Sequence, residues 1–231
     1  MNQQLHLPLD RSDDAPALPA RLAFPVATDG GVPFDDEARF FEPWWPGAHA
    51  FLKRAGDFVE MRTEHLSDPL AVFPELRDGL RLLPADGLIV EGTLLALDAD
   101  GRPDAGLLRR RLTGATHADA FAEGAFVASD LPYLEGRSLA RQPFVERRRQ
   151  LVSVLPVADH CVLGPGLVGE GTTLGRAAAS MGLHALSARR LAGRWRAGDV
   201  GDAWLRLRLT APQEVRTRPF LVLLEKLPLG E

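Results

Sequence analysis

The chain has 231 residues, of which 45% are hydrophobic and 25% charged, a composition typical of a globular protein with a sizeable core. The net charge of −4 argues against a uniformly basic nucleic-acid binder, and the single cysteine, Cys161, excludes an internal disulfide and a cysteine-based zinc cluster. The sequence shows neither a signal peptide nor a run of the about 18 apolar residues that a membrane helix needs, so we expect a cytoplasmic protein with no membrane partner.

Charge is unevenly distributed along the chain. Residues 1–136 hold 23 acidic and 12 basic residues, whereas residues 137–208 hold 5 acidic residues and 12 arginines. A basic second half is typical of a phosphate-binding face. It is equally typical of solvated helix faces in an arginine-rich protein, and only Lys53 and Lys226 are lysines.

The first part of the chain predicts an irregular lead-in followed by strands. Residues 1–38 are rich in proline, aspartate and glycine, and we expect residues 1–20 to form an irregular or disordered tail. A hairpin turn is predicted at residues 54–57. Just before it, apolar residues alternate with polar or aromatic ones, which places His49 on the face opposite Ala50 and Leu52.

The middle of the chain predicts mixed elements. A short helix begins at Phe73-Pro74-Glu75-Leu76 and ends before residue 84. Residues 87–98 predict a pair of strands, closed by a turn at 98–101 and followed by a helix over 102–112. Residues 121–134 predict a further strand.

Residues 143–155 have the spacing of an amphipathic helix, with its arginines predicted to point outward. Residues 171–182 predict a small helix with Thr172 and Thr173 as candidate caps. Strands are predicted over 183–191, 203–210 and 220–224, and strict alternation in the second of these puts Arg206 and Arg208 on one face. Strands covered by a few helices indicate an α+β fold.

Six short motifs follow one another between about Arg21 and Leu209. They are Glu42-Pro43-Trp44-Trp45-Pro46-Gly47, Met61-Arg62-Thr63, Glu91-Gly92-Thr93, Ser129-Asp130-Leu131-Pro132-Tyr133, Gly182-Leu183-His184-Ala185 and Trp204-Leu205-Arg206-Leu207-Arg208. In order and spacing they resemble the nucleotidyltransferase (adenylation) domain of bacterial ATP-dependent DNA ligases of the end-joining type. The resemblance implies one ATP-grasp-like α+β domain over residues 21–231, with antiparallel sheets flanked by helices.

The first motif differs from that of the family at the residues that carry out its chemistry. The family has Glu-Pro-Lys-Trp-Asp-Gly, in which the lysine attacks the α-phosphate of ATP, and Trp44 stands at the lysine position. The lone pair of an indole nitrogen belongs to the aromatic system, so Trp44 cannot act as this nucleophile. Pro46 replaces the aspartate, and His49 replaces an arginine.

Other chemical positions also differ. Thr93 stands at a glutamate that contacts ribose or organises metal, Ser129 at a phenylalanine near the adenine, and His184 at a metal-binding glutamate. The resemblance implies ATP with Mg²⁺ or Mn²⁺, but magnesium prefers oxygen ligands and two acidic positions are lost. We therefore predict no metal site and assign no catalytic residue. His184 alone would be a weak metal ligand.

Four arginines occupy pocket-lining positions of the family and are candidates for binding a nucleotide or a DNA phosphate: Arg62, Arg189, Arg206 and Arg208. Alternatively, they pair with acidic residues across a sheet. Trp44 and Trp45 either stack on a base or fill the vacated pocket. Lys53 is either a displaced nucleophile or an ordinary surface lysine.

Three functions remain open. The first is a catalytically degenerate ligase-like protein of DNA repair, nucleoid-associated in a bacterium, that binds DNA ends or nucleotides beside a repair enzyme. The second is an active ligase or nucleotidyltransferase with an unconventional nucleophile or a partner protein. The third is a protein-interaction module. Only 22 residues follow Leu209, whereas an oligonucleotide-binding-fold domain needs about 70, so we expect none in this chain.

Overall fold

A computed structural model describes residues 18–66, 68–81, 83, 85–114, 123–155, 161–210 and 215–227. Most of the predicted tail over residues 1–20 lies outside this range, and residues 18–24 follow an irregular path. No helix in these segments is long and apolar enough to cross a membrane.

The described segments form thirteen strands and five α-helices, apart from two short 3₁₀ turns. The strands are β1 (Pro25–Val26), β2 (Thr28–Asp29), β3 (Asp36–Pro43), β4 (Ala48–Ala55), β5 (Phe58–Thr63), β6 (Leu88–Leu97), β7 (Glu123–Leu134), β8 (Arg137–Ser138), β9 (Cys161–Leu163), β10 (Leu167–Gly169), β11 (Ala185–Arg190), β12 (Gly198–Asp199) and β13 (Trp204–Arg208). The helices are α1 (Pro74–Arg81), α2 (Ala105–Leu112), α3 (Phe144–Val154), α4 (Gly171–Ser180) and α5 (Phe220–Lys226).

Two main sheets organise the molecule. The six-stranded sheet has the order β5-β4-β6-β7-β8, with β9 beside β7, and the five-stranded sheet has the order β10-β3-β11-β13-β2. Most neighbouring strands are antiparallel, whereas β9 with β7 and β2 with β13 are parallel. A parallel pair of β1 and β12 forms a third, small sheet. Antiparallel sheets flanked by helices confirm the predicted α+β class.

The strand pair predicted over residues 87–98 is wrong, because these residues form the single strand β6. Leu94 and Ala96 face one hydrophobic core, and Leu95 and Leu97 face the other. A strand that is covered on both faces is apolar along most of its length. Its composition therefore does not imply a turn between two shorter strands. The register of β6 on β7 shifts between Glu91 and Gly92.

Two hydrophobic cores lie on the two sides of the six-stranded sheet. The first packs this sheet against α1, α2 and α3, through residues such as Leu52, Leu76 and Leu151. The second lies between the two main sheets and is closed by α4 and α5, through residues such as Phe41 and Leu174. Because β6 and β7 contribute to both cores, these two strands form the centre of the molecule.

The last predicted strand, over residues 220–224, is also wrong, because this segment is the helix α5. Phe220 and Leu223 are buried, whereas Leu221 between them is 74% exposed. Burial at a spacing of three residues is helical. A short apolar run does not by itself distinguish a strand from a helix, so the sequence alone could not decide.

The capping of α4 differs from the prediction as well. The N-cap position is Glu170, which makes no side-chain cap hydrogen bond, and neither threonine caps the helix. Instead, the carboxylate of Asp35 accepts a hydrogen bond from the backbone N–H of Thr172 at 2.8 Å. A residue 137 positions away in the sequence therefore satisfies one of the free N–H groups at this helix start.

The arginines of α3 do not all point outward as predicted. Arg147 and Arg148 are buried, and only Arg149 faces solvent, where it pairs with Glu146. The prediction failed because α3 packs on β7, whose Asp130 and backbone oxygens supply partners for the two buried guanidinium groups.

Candidate functional site

Trp44, at the position of the ligase lysine, directly follows β3. Its backbone N–H donates to the carbonyl of Ala185 at 3.0 Å, which fixes the chain at this point. Its indole stacks on Trp204 with ring centroids 5.6 Å apart and an interplanar angle of 27°. The guanidinium carbon of Arg206 lies 5.0 Å from the Trp44 ring centroid, within the range of a cation–π contact. Trp44 is therefore packed by residues of β13 and is only half-buried.

Trp45 and Gly47, which follow in this motif, serve the fold. Trp45 is buried and packs edge-on against Phe220, with ring centroids 5.5 Å apart. A Cβ on Gly47 would lie 2.6 Å from the methyl group of Thr93, so only glycine allows this close approach to β6. Of the two tryptophans, Trp44 is the more exposed.

A small pocket opens between the two main sheets beside Trp44. Its free volume is about 70 Å³, which is room for a few water molecules. The lining residues are Glu42, Pro43, Trp44, Trp45, Gly47, His49, Gly92, Thr93, Val127, Ser129, Ser187, Arg189 and Trp204. The pocket thus brings together Trp44, His49, Thr93 and Ser129, four positions at which the chain departs from the ligase motifs.

Arg189 forms the electrostatic centre of this pocket. Its guanidinium lies 2.8 Å from Glu91 Oε1, 3.3 Å from Glu42 Oε1 and 3.5 Å from Asp130 Oδ2. Its guanidinium carbon also lies 4.0 Å from the centroid of the Trp204 ring. Glu42 belongs to the five-stranded sheet, and Glu91 and Asp130 belong to the six-stranded sheet, so Arg189 joins the two sheets by charge.

Burial and ion pairing shift the pKa values of these groups in different directions. Burial favours the neutral form of Glu91, but Arg189 and His49 outweigh it and hold the pKa of this carboxyl below its usual range. For Glu42, burial is the larger effect and raises the pKa despite Arg189 and Arg148 nearby. Burial also opposes the charge of Arg189, yet the three carboxylates raise its pKa, so it remains a cation.

Glu91 has further partners besides Arg189. The indole N–H of Trp195 donates to Glu91 Oε2 at 2.6 Å. His49 Nε2 lies 3.3 Å from Glu91 Oε1, but this nitrogen makes no well-directed hydrogen bond. The ring of Phe24, from the irregular N-terminal segment, packs on both His49 and Phe51 and covers this side of the pocket.

Two more arginines complete a buried network of charges. Arg147 forms a bidentate pair with Asp130 at 2.8 and 2.7 Å. Arg148 donates to the backbone oxygens of Ser129 and Gly164. Burial lowers the pKa of Arg148, although Glu42 and Asp130 raise it in part. The three buried carboxylates thus face three guanidinium groups, and these formal charges balance without a ligand.

The residues at this site do not suit the magnesium or manganese ion that the ligase resemblance implies. A divalent ion of this kind takes oxygen ligands, and Glu42, Glu91 and Asp130 already pair with arginines. Thr93 offers only a hydroxyl. His184 lines a neighbouring groove with Pro46 and Arg206, and this groove shares Trp44 with the pocket. Within the described segments, no group of three or more His, Cys, Asp or Glu residues is arranged to hold a metal.

The four arginines predicted as phosphate ligands do not converge. Arg189 is committed to carboxylates, so a phosphate would have to displace them. Arg62 lies elsewhere, on β5, where it donates to the Leu22 carbonyl and packs over Phe24. Arg206 and Arg208 are exposed on β13, and Arg208 Nη2 lies 3.6 Å from Asp29 Oδ2.

Neither lysine lines the pocket beside Trp44. The ammonium group of Lys53 lies 3.5 Å from the Pro19 carbonyl and 4.0 Å from Glu60, in a different groove. Lys226 is exposed at the end of α5.

The sequence reasoning missed the network around Arg189, above all Asp130, Glu91 and Trp195. A signal was present for two of them. Glu91 lies inside the apolar run of β6, and Asp130 lies in a largely apolar stretch of β7. A charged residue surrounded by core positions in its own strand predicts a buried charge, which needs a buried partner. No comparable signal marks Trp195, because its partner is 104 positions away.

No family model matches the chain. Among known proteins it is similar to a probable DNA ligase of Streptomyces coelicolor, with 29% identity over 171 residues, covering 70% of this chain and 33% of that protein. It is also similar to a DNA ligase of Thermococcus fumicolans, with 28% identity over 179 residues, covering 74% and 32%. The chain therefore spans about a third of the length of these curated relatives.

Solved structures of DNA ligases are also similar to the chain. A mycobacterial DNA ligase D complexed with ATP and MES aligns with a TM-score of 0.67 and 24% identity, over 81% of this chain and 60% of that one. The ligase domain of M. tuberculosis LigD aligns with a TM-score of 0.66 and 24% identity, over 80% and 58%. The chain thus has a nucleotidyltransferase fold. More narrowly, this fold is that of the nucleotidyltransferase domain of ATP-dependent DNA ligases, and the resemblance predicted from the motifs is confirmed.

Proposed function

We propose that this chain is a ligase-like DNA-binding protein of DNA repair that forms no lysine adenylate and acts as an accessory beside a repair enzyme. The packing of Trp44 supports the claim that the chain forms no lysine adenylate. Its indole stacks on Trp204 and lies under Arg206, at the position from which the ligase lysine attacks ATP. Among the described side chains, no lysine reaches this pocket to replace it.

The charge balance of the pocket supports the same conclusion. An adenylating site needs unpaired cationic groups for the phosphates and free carboxylates for the metal. Here the three carboxylates and Arg189 satisfy one another beside a pocket whose free volume is about 70 Å³. Opening this pocket for ATP would break buried ion pairs, which is costly unless the ligand replaces them.

The DNA-binding part rests on the exposed face of β13. Arg206 and Arg208 share this face about 6.8 Å apart along the strand, which equals the axial rise of about two nucleotides of one DNA strand. Arginine forms bidentate contacts with phosphate oxygens. The relatives are named DNA ligases, so DNA is the nucleic acid that we propose as the ligand.

The adenylation reaction gives the first test. The chain is incubated with α-labelled ATP and either Mg²⁺ or Mn²⁺, and covalent label is measured on a denaturing gel. We expect no adduct, and a stable protein–AMP adduct in the unmodified chain would overturn the proposal. Trp44→Lys serves as a second arm, in which we also expect no adduct because Thr93 and His184 still stand at acidic positions. An adduct in this variant would show that the missing lysine is the sole reason why the unmodified chain is not adenylated.

DNA binding gives the second test. The affinity for a duplex with one labelled end is measured at several salt concentrations, for the unmodified chain and for the Arg206→Ala/Arg208→Ala variant. Each lost phosphate contact lowers the slope of log affinity against log salt by about 0.9 for duplex DNA. We expect a loss of about 1.8 in this slope. An unchanged slope would show that the β13 face does not contact DNA.

A further inference from the structure

A second group of exposed arginines lies outside the Trp44 pocket. Arg141 follows β8, and Arg194 and Arg196 flank Trp195 in the loop between β11 and β12. The two segments run side by side, because the Trp195 N–H donates to the Ala140 carbonyl at 3.0 Å and Arg194 forms an antiparallel bridge with Pro143. We call this surface, formed by Arg141, Arg194 and Arg196, the loop surface.

The loop surface is held rigidly from below. Buried Arg147 donates to the carbonyl of Gln142 at 2.6 Å and to that of Gly193 at 3.1 Å, while Asp130 fixes its other nitrogens. Trp195 is held as well, by its hydrogen bond to Glu91. Both backbone segments are therefore positioned before a ligand arrives, which reduces the entropy lost on binding.

The acidic residues of this region leave the loop surface positive. Within the described segments, no carboxylate forms an ion pair with Arg141 or Arg194. Asp199, which lies in the field of Arg196, accepts hydrogen bonds from Thr28 and from the backbone of Gly201. Asp202 pairs with Arg190 and Arg39.

The loop surface also adjoins the strand proposed above to contact DNA. A groove lined by Arg194, Trp195, Arg196 and Trp204 connects the loop with the start of β13. Trp204 and Arg206 lie on the same face of β13, since they are two residues apart in a strand. The exposed arginines of the loop and of β13 thus border one continuous stretch of the molecule.

We propose that the loop surface is a second contact site for the phosphate backbone of nucleic acid. This inference rests on the proposed DNA binding and extends it from β13 to the other side of Trp204. Three arginines on a fixed backbone, adjoining two more on a strand, match a ligand with closely repeated negative charges. They carry no arrangement for reading bases, so binding through them is expected to be independent of DNA sequence.

Salt titration of duplex binding tests this inference with the full chain. The Arg194→Ala/Arg196→Ala variant is compared with Arg109→Ala/Arg176→Ala, which removes the same charge from exposed positions on α2 and α4. We expect the loop variant to bind more weakly and to lose about 1.8 in salt slope, while the control keeps its slope. Circular dichroism verifies that both variants are folded.

The outcomes separate the two proposals. If DNA binds and only Arg206→Ala/Arg208→Ala lowers the salt slope, the loop surface has no role in binding and the present inference is wrong. If the unmodified chain does not bind DNA at all, the proposed function fails together with it. If the loop variant and the charge-matched control lose equal slope, only net charge matters and the loop surface is again excluded.

Discussion

Arg189 is the residue at which the chemistry of this chain differs most from that of an open nucleotide pocket. It is a full cation in the interior, and its charge is balanced by Glu91, Glu42 and Asp130 from two different sheets. Such a network is expensive to desolvate, and it is stable only while every member has its partner. The charged residues beside Trp44 therefore depend on one another, and a substitution at one of them changes the ion pairing of the others.

Removing the charge of Glu91 tests this dependence. Glu91→Gln leaves Arg189 buried with less compensation, and breaking a buried ion pair costs about 3–5 kcal/mol of folding stability. Glu146→Gln is the matched control, because Glu146 pairs with exposed Arg149 and such surface pairs contribute only about 0–1 kcal/mol. Urea unfolding of both variants measures the difference. Equal and small losses would show that the network does not stabilise the fold.

Glu42 and Glu91 are expected to affect the pH dependence of stability in opposite directions. The pKa of Glu91 is lowered from 4.5, so its stabilising contribution is complete above pH 4.5 and is lost as the pH falls through its folded pKa. The pKa of Glu42 is raised from 4.5, so its contribution is present below pH 4.5 and is lost as the pH rises through its folded pKa.

The free energy of unfolding of the two glutamine variants checks these signs. Relative to the unmodified chain, Glu91→Gln should destabilise more at about pH 8 than at about pH 3.5. Glu42→Gln should destabilise less at about pH 8 than at about pH 3.5, because it removes a carboxylate that is costly to ionise. A shift in the same direction for both variants contradicts the assignment.

At the scale of elements, β6 and β7 decide the geometry of the pocket. Their register shifts next to Gly92, which lets Glu91 point into the network while the apolar residues on both sides face the cores. A Cβ on Gly92 would lie 2.6 Å from Phe126 Cζ and closer still to the Val127 carbonyl oxygen. Glycine is therefore required here by close approach, since its backbone conformation is ordinary for a strand.

Gly92→Ala is expected to destabilise the protein by about 1–3 kcal/mol, because both neighbours belong to the central strand β7 and cannot move aside easily. Gly56→Ala provides a contrast in the hairpin between β4 and β5. Gly56 has φ +57° and open space around it, so an alanine there meets only the penalty of a left-handed backbone, about 1–2 kcal/mol. Crystal structures of the variants distinguish the mechanisms: Gly92→Ala should displace β7, and Gly56→Ala should displace nothing.

At the scale of the whole molecule, the two hydrophobic cores share strands β6 and β7, and the network of Arg189 joins the two main sheets. We expect them to unfold together. Leu52→Ala in the first core and Leu174→Ala in the second should each cost about 2–5 kcal/mol and shift one common transition. The four tryptophans lie in the second core, in the Trp44 pocket or in the groove beside the start of β13, so their fluorescence reports on one region of the molecule. Far-ultraviolet circular dichroism reports on all of it. Transitions that fail to coincide would disprove a single cooperative unit.

The sequence by itself determined the features that depend on local order. Strand alternation put Ala50 and Leu52 on one face of β4 and Arg206 and Arg208 on one face of β13. The structure shows that the first face is in the core and the second is exposed. The order of the motifs predicted the ligase-type fold. It also showed that Trp44 cannot be the ligase nucleophile, because that conclusion follows from the chemistry of one side chain. These features need no knowledge of distant neighbours.

Only the tertiary structure decided where the charges of the chain go. Arg147 and Arg148 have the spacing of a solvated helix face, yet they are buried because β7 brings Asp130 and backbone oxygens to them. The sequence left two hypotheses for Arg189, a phosphate ligand or a partner of acidic residues. Its contacts in the structure are with acidic residues, because β3 and β6 place Glu42 and Glu91 beside it. An ion pair depends on separations in space that the sequence does not contain, so the partners of a buried charge become known only when the sheets are assembled.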